Sequence, residues 1–427
     1  MADDVKIMGM KAESGRWILV IAGLLIELCL GAIYAYSIIN PPLKKMFTET
    51  YGLTVSATAM QIPYIVFLLI FALTMPLVGK YIEKLGPRKV GIAGGVLVGL
   101  GWILASFSTS PTTLAIYYGV IGGLGVGIAY NCPITTSARW FPDRRGLAVG
   151  LTVLGFGFSA AVTGPIADYL TAHFGVLNMF RFLGLAFLII TVALSTVLVF
   201  PPAGWTPAGW KPPEPKAGAA PKAELMRSEM TKTTTFYGLW ICYTIGTLAG
   251  LMAIGVSKPV GLEVASNAGM DQARASALMT SLIIPFAFCN GGGRPIFGWL
   301  TDKLTPPRAA MLSFVLILLA SLLIYTSPAS ISAYTISFAI LWMCLGGWLA
   351  IAPTATASFF GTKDYARNYG LVFTAYGAGA VIGNIMAGQA KDIFGAYIQV
   401  FPYVAVLAVI GFIVAMTMLK PPKPKTA

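Results

Sequence analysis

Charge is scarce in this chain. Only 11% of its 427 residues are Asp, Glu, Lys or Arg, against 57% hydrophobic ones. That ratio excludes a water-soluble globule, because too little polar surface exists to cover an apolar interior of that size. Histidine is scarcer still, with a single residue, His173, expected at the outer end of a helix in a structural part. Cys29, Cys132, Cys242, Cys289 and Cys344 all fall in expected helices without the spacing of a metal site. Neither disulfides nor a metal is therefore expected. No nucleophile triad, metal cluster or phosphate loop occurs, so an enzyme is not expected and no cofactor is implied. Short alternating strands are missing too, which excludes a membrane barrel. The first apolar run is too long, and lacks the small-residue cleavage site, for a removable leader.

What is present is apolar length. Mean hydropathy is +0.78, and runs long enough to cross about 30 Å of hydrocarbon as a helix recur throughout. Twelve are expected, starting near Trp17, Ala57, Val90, Leu114, Gly146, Met179, Thr233, Ala275, Ala309, Ser332, Tyr369 and Val400. The fold class is an all-α membrane protein of twelve transmembrane helices, since lipid cannot satisfy unpaired backbone groups. Most of the 29 lysines and arginines collect in alternate loops. Lys80, Lys84, Arg88 and Lys89 follow the second span. Lys211, Lys216, Lys222, Arg227 and Lys232 sit in the longest loop, and Lys420, Lys423 and Lys425 end the chain. The positive-inside bias then places both termini in the cytoplasm, with the protein in the cell (inner) membrane. It also accounts for the net charge of +13 without nucleic acid, because the bases form no single patch.

Residues 201–232, "PPAGWTPAGWKPPEPKAGAAPKAELMRSEMTK", read as a cytoplasmic linker between six-helix bundles at 1–200 and 233–427. The halves echo each other. "GKYIEKLGPRK" at 79–89 follows the second helix and "GWLTDKLTPPR" at 298–308 the eighth, aligning Gly79 with Gly298, Glu83 with Asp302 and Pro87 with Pro306. Such a repeat suggests two similar bundles with a path between them.

One arginine stands out. Arg294, in "SLIIPFAFCNGGGRPIFGWLTDK", is the only charge between Arg274 and Asp302 and is counted as the only base embedded in the membrane. An arginine there is expensive and needs a partner. Its planar fork suits a carboxylate, with Asn290 one turn earlier as a second donor. Snorkelling toward the cytoplasm, or an ion pair with Glu27, would make Arg294 structural instead, and Asn290 serves helix packing equally well. Glu27 is counted as the only acid at mid-depth, a candidate for proton coupling or for a hydrogen bond between helices. Tyr34, Tyr36, Tyr130 with Asn131, and Tyr376 offer apolar walls with one hydrogen bond each, although many membrane tyrosines are interface anchors.

The repeated loop resembles the signature of the major facilitator superfamily, with Glu83 where aspartate is usual and Thr305 where glycine is usual. "RWFPDRRGLAVGLTVLGFG" at 139–157 is similar to the fifth-helix motif of monocarboxylate transporters and oxalate/formate antiporters. "FFGTKDYARNYG" at 359–370 and "NGGGRP" resemble the antiporter group, and nearly the whole chain resembles bacterial homologues of the animal lactate carriers. The resemblance implies the major facilitator fold. It puts the antiporters' eighth-helix arginine on Arg294 and pocket tyrosines on Tyr34 and Tyr130. Their eleventh-helix lysine falls on Tyr376, and two tenth-helix aromatics fall on Leu345 and Leu349. The lactate carriers' eighth-helix aspartate falls on Asn290 and their first-helix lysine near Ile38. One cation at the site implies one carboxylate.

The expected function is alternating-access transport of small monocarboxylates such as lactate or pyruvate, coupled to protons through Glu27, with anion exchange as the alternative. Glu83, Arg88, Asp143 and Asp302 would latch helix ends on the cytoplasmic side, or act only as orientation signals. A sensor would carry a signalling domain, and a channel needs no repeat. The expected partners are a small organic anion, a proton and the lipid bilayer, with the protein a monomer.

Overall fold

The structure is a computed structural model that describes residues 5–210 and 224–422. Lys211, Lys216, Lys222, Lys423 and Lys425, with the middle of the expected linker, lie outside the described residues. Twelve helices are long and apolar enough to cross a membrane. They are α1 (Ala12–Glu49), α2 (Ala57–Leu85), α3 (Pro87–Ala105), α4 (Pro111–Trp140), α5 (Arg145–Phe174), α6 (Val176–Ser195), α7 (Thr234–Asn267), α8 (Gln272–Leu304), α9 (Pro306–Thr326), α10 (Ile331–Phe360), α11 (Arg367–Phe394) and α12 (Tyr397–Met418). Every expected start falls in or beside one of them. An even number of spans returns both ends to one face, called here the termini face. A two-residue-strand hairpin, β1 (Lys6–Ile7) with β2 (Met10–Lys11), precedes α1.

Punctuation explains most boundaries. Ser56, Ser110, Thr233, Asp271 and Ser330 each accept a backbone N–H in the first turn of the helix they precede, satisfying donors that have no partner within the helix. Pro87 and Pro306 open α3 and α9, where a missing N–H costs nothing. The residue before each proline is left-handed: Gly86 at φ 82°, ψ 159° and Thr305 at φ 78°, ψ 153°. The two repeat loops thus share one backbone conformation, although only the first has the residue that adopts it without strain.

Two spans are interrupted where the interior needs side chains. α1 tightens to a 3-10 turn at Gly31–Ala35. There Gly31 touches α5 so closely that a Cβ would come within 2.8 Å of the Phe156 Cα and the Ser159 Cβ, and the Ser159 hydroxyl donates to the Leu28 carbonyl at 2.6 Å. α4 widens to a π-helix at Ala115–Gly122 and breaks at Tyr130, where Pro133 cannot donate back to the Ala129 carbonyl.

The first six spans meet the last six along two seams. α2 runs against α11, with Gly377 in reach of Ala72 and Gly388 in reach of Thr58. α5 runs against α8, where Gly157 makes room for Asn290 and Arg294. Large apolar side chains such as Leu77, Ile189, Trp299 and Ile393 are exposed on the outside, as a surface against lipid should be.

Candidate functional site

Arg294 sits on α8 where that helix lies between α5 and α10. On the α10 side, a Cβ on Gly293 would collide with the Met343 carbonyl and one on Gly346 with the Asn290 carbonyl. On the α5 side, a Cβ on Gly157 would lie 2.9 Å from the Asn290 Oδ1 and 3.2 Å from the Arg294 Nε. Bare backbone on three sides therefore lets the guanidinium sit at the seam. Arg294 is 7% exposed. Its Nη1 donates to the Val153 carbonyl at 2.8 Å, while Nε and Nη2 are buried without a partner. A charged donor left partly unsatisfied away from water is costly.

Glu27 is fully buried, and neither carboxyl oxygen has a hydrogen-bond partner. No ion pair joins it to Arg294, yet it lies within electrostatic reach of that guanidinium, as do Tyr34, Tyr130 and Tyr243. The Tyr34 and Tyr376 hydroxyls meet at 2.9 Å across the halves. Phe71 and Phe156 bind these rings into one wall: Phe156 lies edge-on to Tyr34 at 5.1 Å and to Tyr130 at 5.3 Å, and Phe71 is 5.2 Å from Tyr130 and 5.8 Å from Tyr376. The structure therefore brings Glu27, Tyr34, Tyr130 and Arg294 together, with Tyr376 paired to Tyr34. Tyr36 is directed elsewhere, its hydroxyl donating to the Met60 carbonyl.

Asn290 spends one of its two amide hydrogens on packing, its Nδ2 donating to the Trp342 carbonyl at 3.0 Å and helping hold α8 on α10. One expectation needs correction. Arg294 is not the only embedded base. Lys258, counted with the outer segments, lies inside α7 with 4% exposure, because that helix continues to Asn267. Of the four residues expected as a latch, two are paired. Asp143 accepts from the Arg16 guanidinium at 2.6 and 3.0 Å, and Glu83 pairs with Arg139. Arg88 and Asp302 are exposed at helix ends and form no ion pair among the described residues. Burial would push the Asp143 carboxyl up, but the Arg16 bonds and charge outweigh it and hold it below the ordinary range.

Sequence reasoning missed Phe71, Tyr243 and Lys258. Phe156 was within sight, as the aromatic of the quoted "GLTVLGFG" run. Tyr243 is fully buried, with its hydroxyl toward that of Tyr369, but nothing in its neighbourhood along the chain distinguishes it from a packing tyrosine. Clefts of about 490 Å³ at Glu263, Lys391 and Tyr397 and about 460 Å³ at Asp302, Thr305 and Thr354 lie at helix ends. Neither reaches Arg294.

Comparison with known proteins adds the following. A family model described as Major Facilitator Superfamily matches residues 28–259 and 239–427. The oxalate:formate antiporter of Oxalobacter formigenes is 29% identical over 405 residues, 94% of this chain and 90% of its own. Monocarboxylate transporter 13 of Rattus norvegicus is 28% identical over 338 residues, 78% of this chain and 74% of its own. Among solved structures, a bacterial homologue of the human lysosomal transporter Spinster, inward-facing and unoccupied, superposes with a TM-score of 0.70 at 16% identity, covering 97% of this chain and 99% of its own. That last likeness speaks for the fold alone.

Proposed function

The chain belongs to the major facilitator superfamily, and from that premise we propose that it carries small monocarboxylates across the membrane by alternating access, with Arg294 as the carboxylate-binding group. The observation that carries this reading is the Arg294 side chain: buried between the halves, held by one carbonyl, and left with two free donor nitrogens. A carboxylate accepts from a guanidinium through two parallel bonds, which would complete those donors. Tyr130 and Tyr34 stand within reach to add hydroxyls. The remaining wall of Phe71, Phe156 and Phe373 is apolar and suits a short carbon chain. The names of the two relatives, an oxalate:formate antiporter and a monocarboxylate transporter, support an organic anion of this size. One cation at the site favours one carboxylate over two.

Proton coupling belongs to the same reading. Glu27 shares the arginine's surroundings without bonding to it. A substrate carboxylate arriving at Arg294 would compete for its field and alter the balance at Glu27, so that anion and proton travel together. Anion exchange without protons is the second reading, favoured by the antiporter among the relatives. The orientation expected from the basic loops puts the termini face in the cytoplasm.

Reconstituted protein tests both points. Arg294→Lys keeps the charge but loses the fork, and labelled lactate should bind roughly tenfold or more weakly in correctly inserted protein. Unchanged affinity would remove Arg294 from the site. In the same vesicles an imposed pH gradient should drive lactate accumulation in wild type and fail to do so in Glu27→Gln, which should retain exchange. Accumulation by Glu27→Gln would remove Glu27 from the coupling, and indifference of the wild type to the gradient would leave exchange as the surviving mechanism.

A further inference from the structure

We propose that Lys258 and Thr280 form a second carboxylate site at the mouth of the pathway, on the face opposite the termini, which Asp168 fills while that face is closed. This inference rests on the carboxylate-transport reading above.

Lys258 lies on α7 with a side chain 5% exposed, and its ammonium donates to the Asp168 Oδ1 at 3.0 Å and to the Thr280 Oγ1 at 2.8 Å. The two partners belong to different halves. Thr280 is on α8, beside α7. Asp168 is on α5, across the seam, and is 43% exposed. The ion pair is thus lopsided: the base is enclosed and the acid reaches in from a wetter position.

Alternating access parts the halves on one face at a time. When the face opposite the termini opens, Asp168 departs with α5, while Lys258 and Thr280 remain together. The ammonium then loses the carboxylate it pairs with and keeps one hydroxyl. A half-enclosed cation at the opened mouth attracts an anion, and the group best shaped to replace an aspartate side chain is another small carboxylate. Asp168 is in this sense a tethered imitation of the cargo.

The site is also well placed. Thr280 and Arg294 are on the same helix, about 21 Å apart along its axis and about 40° apart around it. An anion released from Lys258 would therefore move along one face of α8 toward the Arg294 guanidinium. Ile283 lies on that face between them, in contact range of the space above Gly164 beside Ile38. That apolar stretch separates the two cations, so the proposed site is a point of capture rather than a subsite of the central one.

The experiment must separate a binding site from a mere lock between halves. Breaking the ion pair from either end would open a lock equally, so Asp168→Asn and Lys258→Met would then act alike. A site predicts a difference, because Asp168→Asn frees the ammonium and Lys258→Met deletes it. Labelled lactate uptake is measured from each face in vesicles of known orientation. From the Lys258 face, KM in Lys258→Met should exceed that in Asp168→Asn by about tenfold, the value of one lost charge-assisted contact. KM from the termini face should differ by less than about twofold between the variants. Thr280→Val, a milder change, should raise KM on the same face only and guards against misfolding of Lys258→Met. Equal KM values for Asp168→Asn and Lys258→Met, together with no effect of Thr280→Val, would overturn the proposal and leave a lock. Wild-type vesicles that take up neither lactate nor oxalate would overturn the transport reading, and this inference with it.

Discussion

The two faces of the molecule are fastened differently. On the termini face the ion pairs each lie within one half: Arg16 with Asp143 and Glu83 with Arg139 in the first, Arg367 with Asp364 in the second. On the opposite face some polar bonds stay within a half, as Lys391 with Glu263 does, but others cross between halves. Lys258 meets Asp168, and the Asp392 carboxylate on α11 accepts from the backbone N–H groups of Ala57 and Thr58, the first turn of α2, at 2.7 and 2.9 Å. Deeper in, the Tyr64 hydroxyl reaches the Leu251 carbonyl at 3.4 Å. Among the described residues no side-chain hydrogen bond or ion pair joins the halves on the termini side of the Arg294–Val153 contact. Charges on the termini face therefore hold each bundle together, whereas some of those on the other face also hold the bundles to each other. The first kind should govern stability and the second the balance between conformations.

The largest effect expected from this contrast is in Arg16→Ala. Arg16 is enclosed, forks onto Asp143, donates to the Trp140 carbonyl at 3.0 Å and stacks on Phe141 at 4.4 Å. Removing one partner of an enclosed pair costs about 3 kcal/mol, so the variant should melt earlier in detergent. Label-to-label distances across the opposite face should not change, and a change would break the contrast. The same pair sets an acid limit. Because Asp143 is held below its ordinary value, its contribution is complete above that value and is lost as pH falls through the lowered one. Arg16→Ala should flatten that part of the pH–stability curve.

A smaller effect, of the other kind, is expected in Asp392→Ala. Two charge-assisted bonds to a helix N-terminus contribute about 2 kcal/mol, and here they favour the state closed on that face. Spin labels at Glu49 and Ile393 should report a longer-distance population gained at the expense of the closed one, with little change in melting temperature. A melting shift without a distance change would reverse the assignment.

The smallest effect sharpens a comparison inside the repeat. Gly86 and Thr305 hold the same left-handed conformation, but only threonine is strained there, by about 1 kcal/mol. Thr305→Gly should stabilise the protein by that amount, and Gly86→Thr should destabilise it. If Thr305→Gly melts lower, contacts of the threonine side chain outweigh its backbone strain.

These residues also mark how far the sequence could be read. The spans were legible because hydrocarbon thickness imposes length, and the repeat loops because proline and glycine fix the chain at their turns. Arg294 was conspicuous because a lone charge in an apolar run has few structural explanations. Lys258 was not, since it is nine residues from the end of a helix that extends beyond the apolar window, and its partner Asp168 is 90 residues away. Asn290 was visible, but whether its amide faced a cavity or a carbonyl depended on how closely α10 approached. Glycines at 293 and 346 decided that, through contacts between helices that are distant in sequence. The aromatic wall was legible for Tyr34 and Tyr130, where the resemblance supplied positions, and not for Phe71, where nothing did.

The glycine contact between α8 and α10 has a practical corollary. With Gly293 against the Met343 carbonyl and Gly346 against the Asn290 carbonyl, the two backbones leave no slack for sliding, and the Asn290–Trp342 bond pins them further. Arg294 then has no displacement of its own and travels as cargo on a two-helix plank. A reporter dye on the lipid side of α10, at the exposed Ile336 for example, would follow the arginine through the cycle without touching the site it serves.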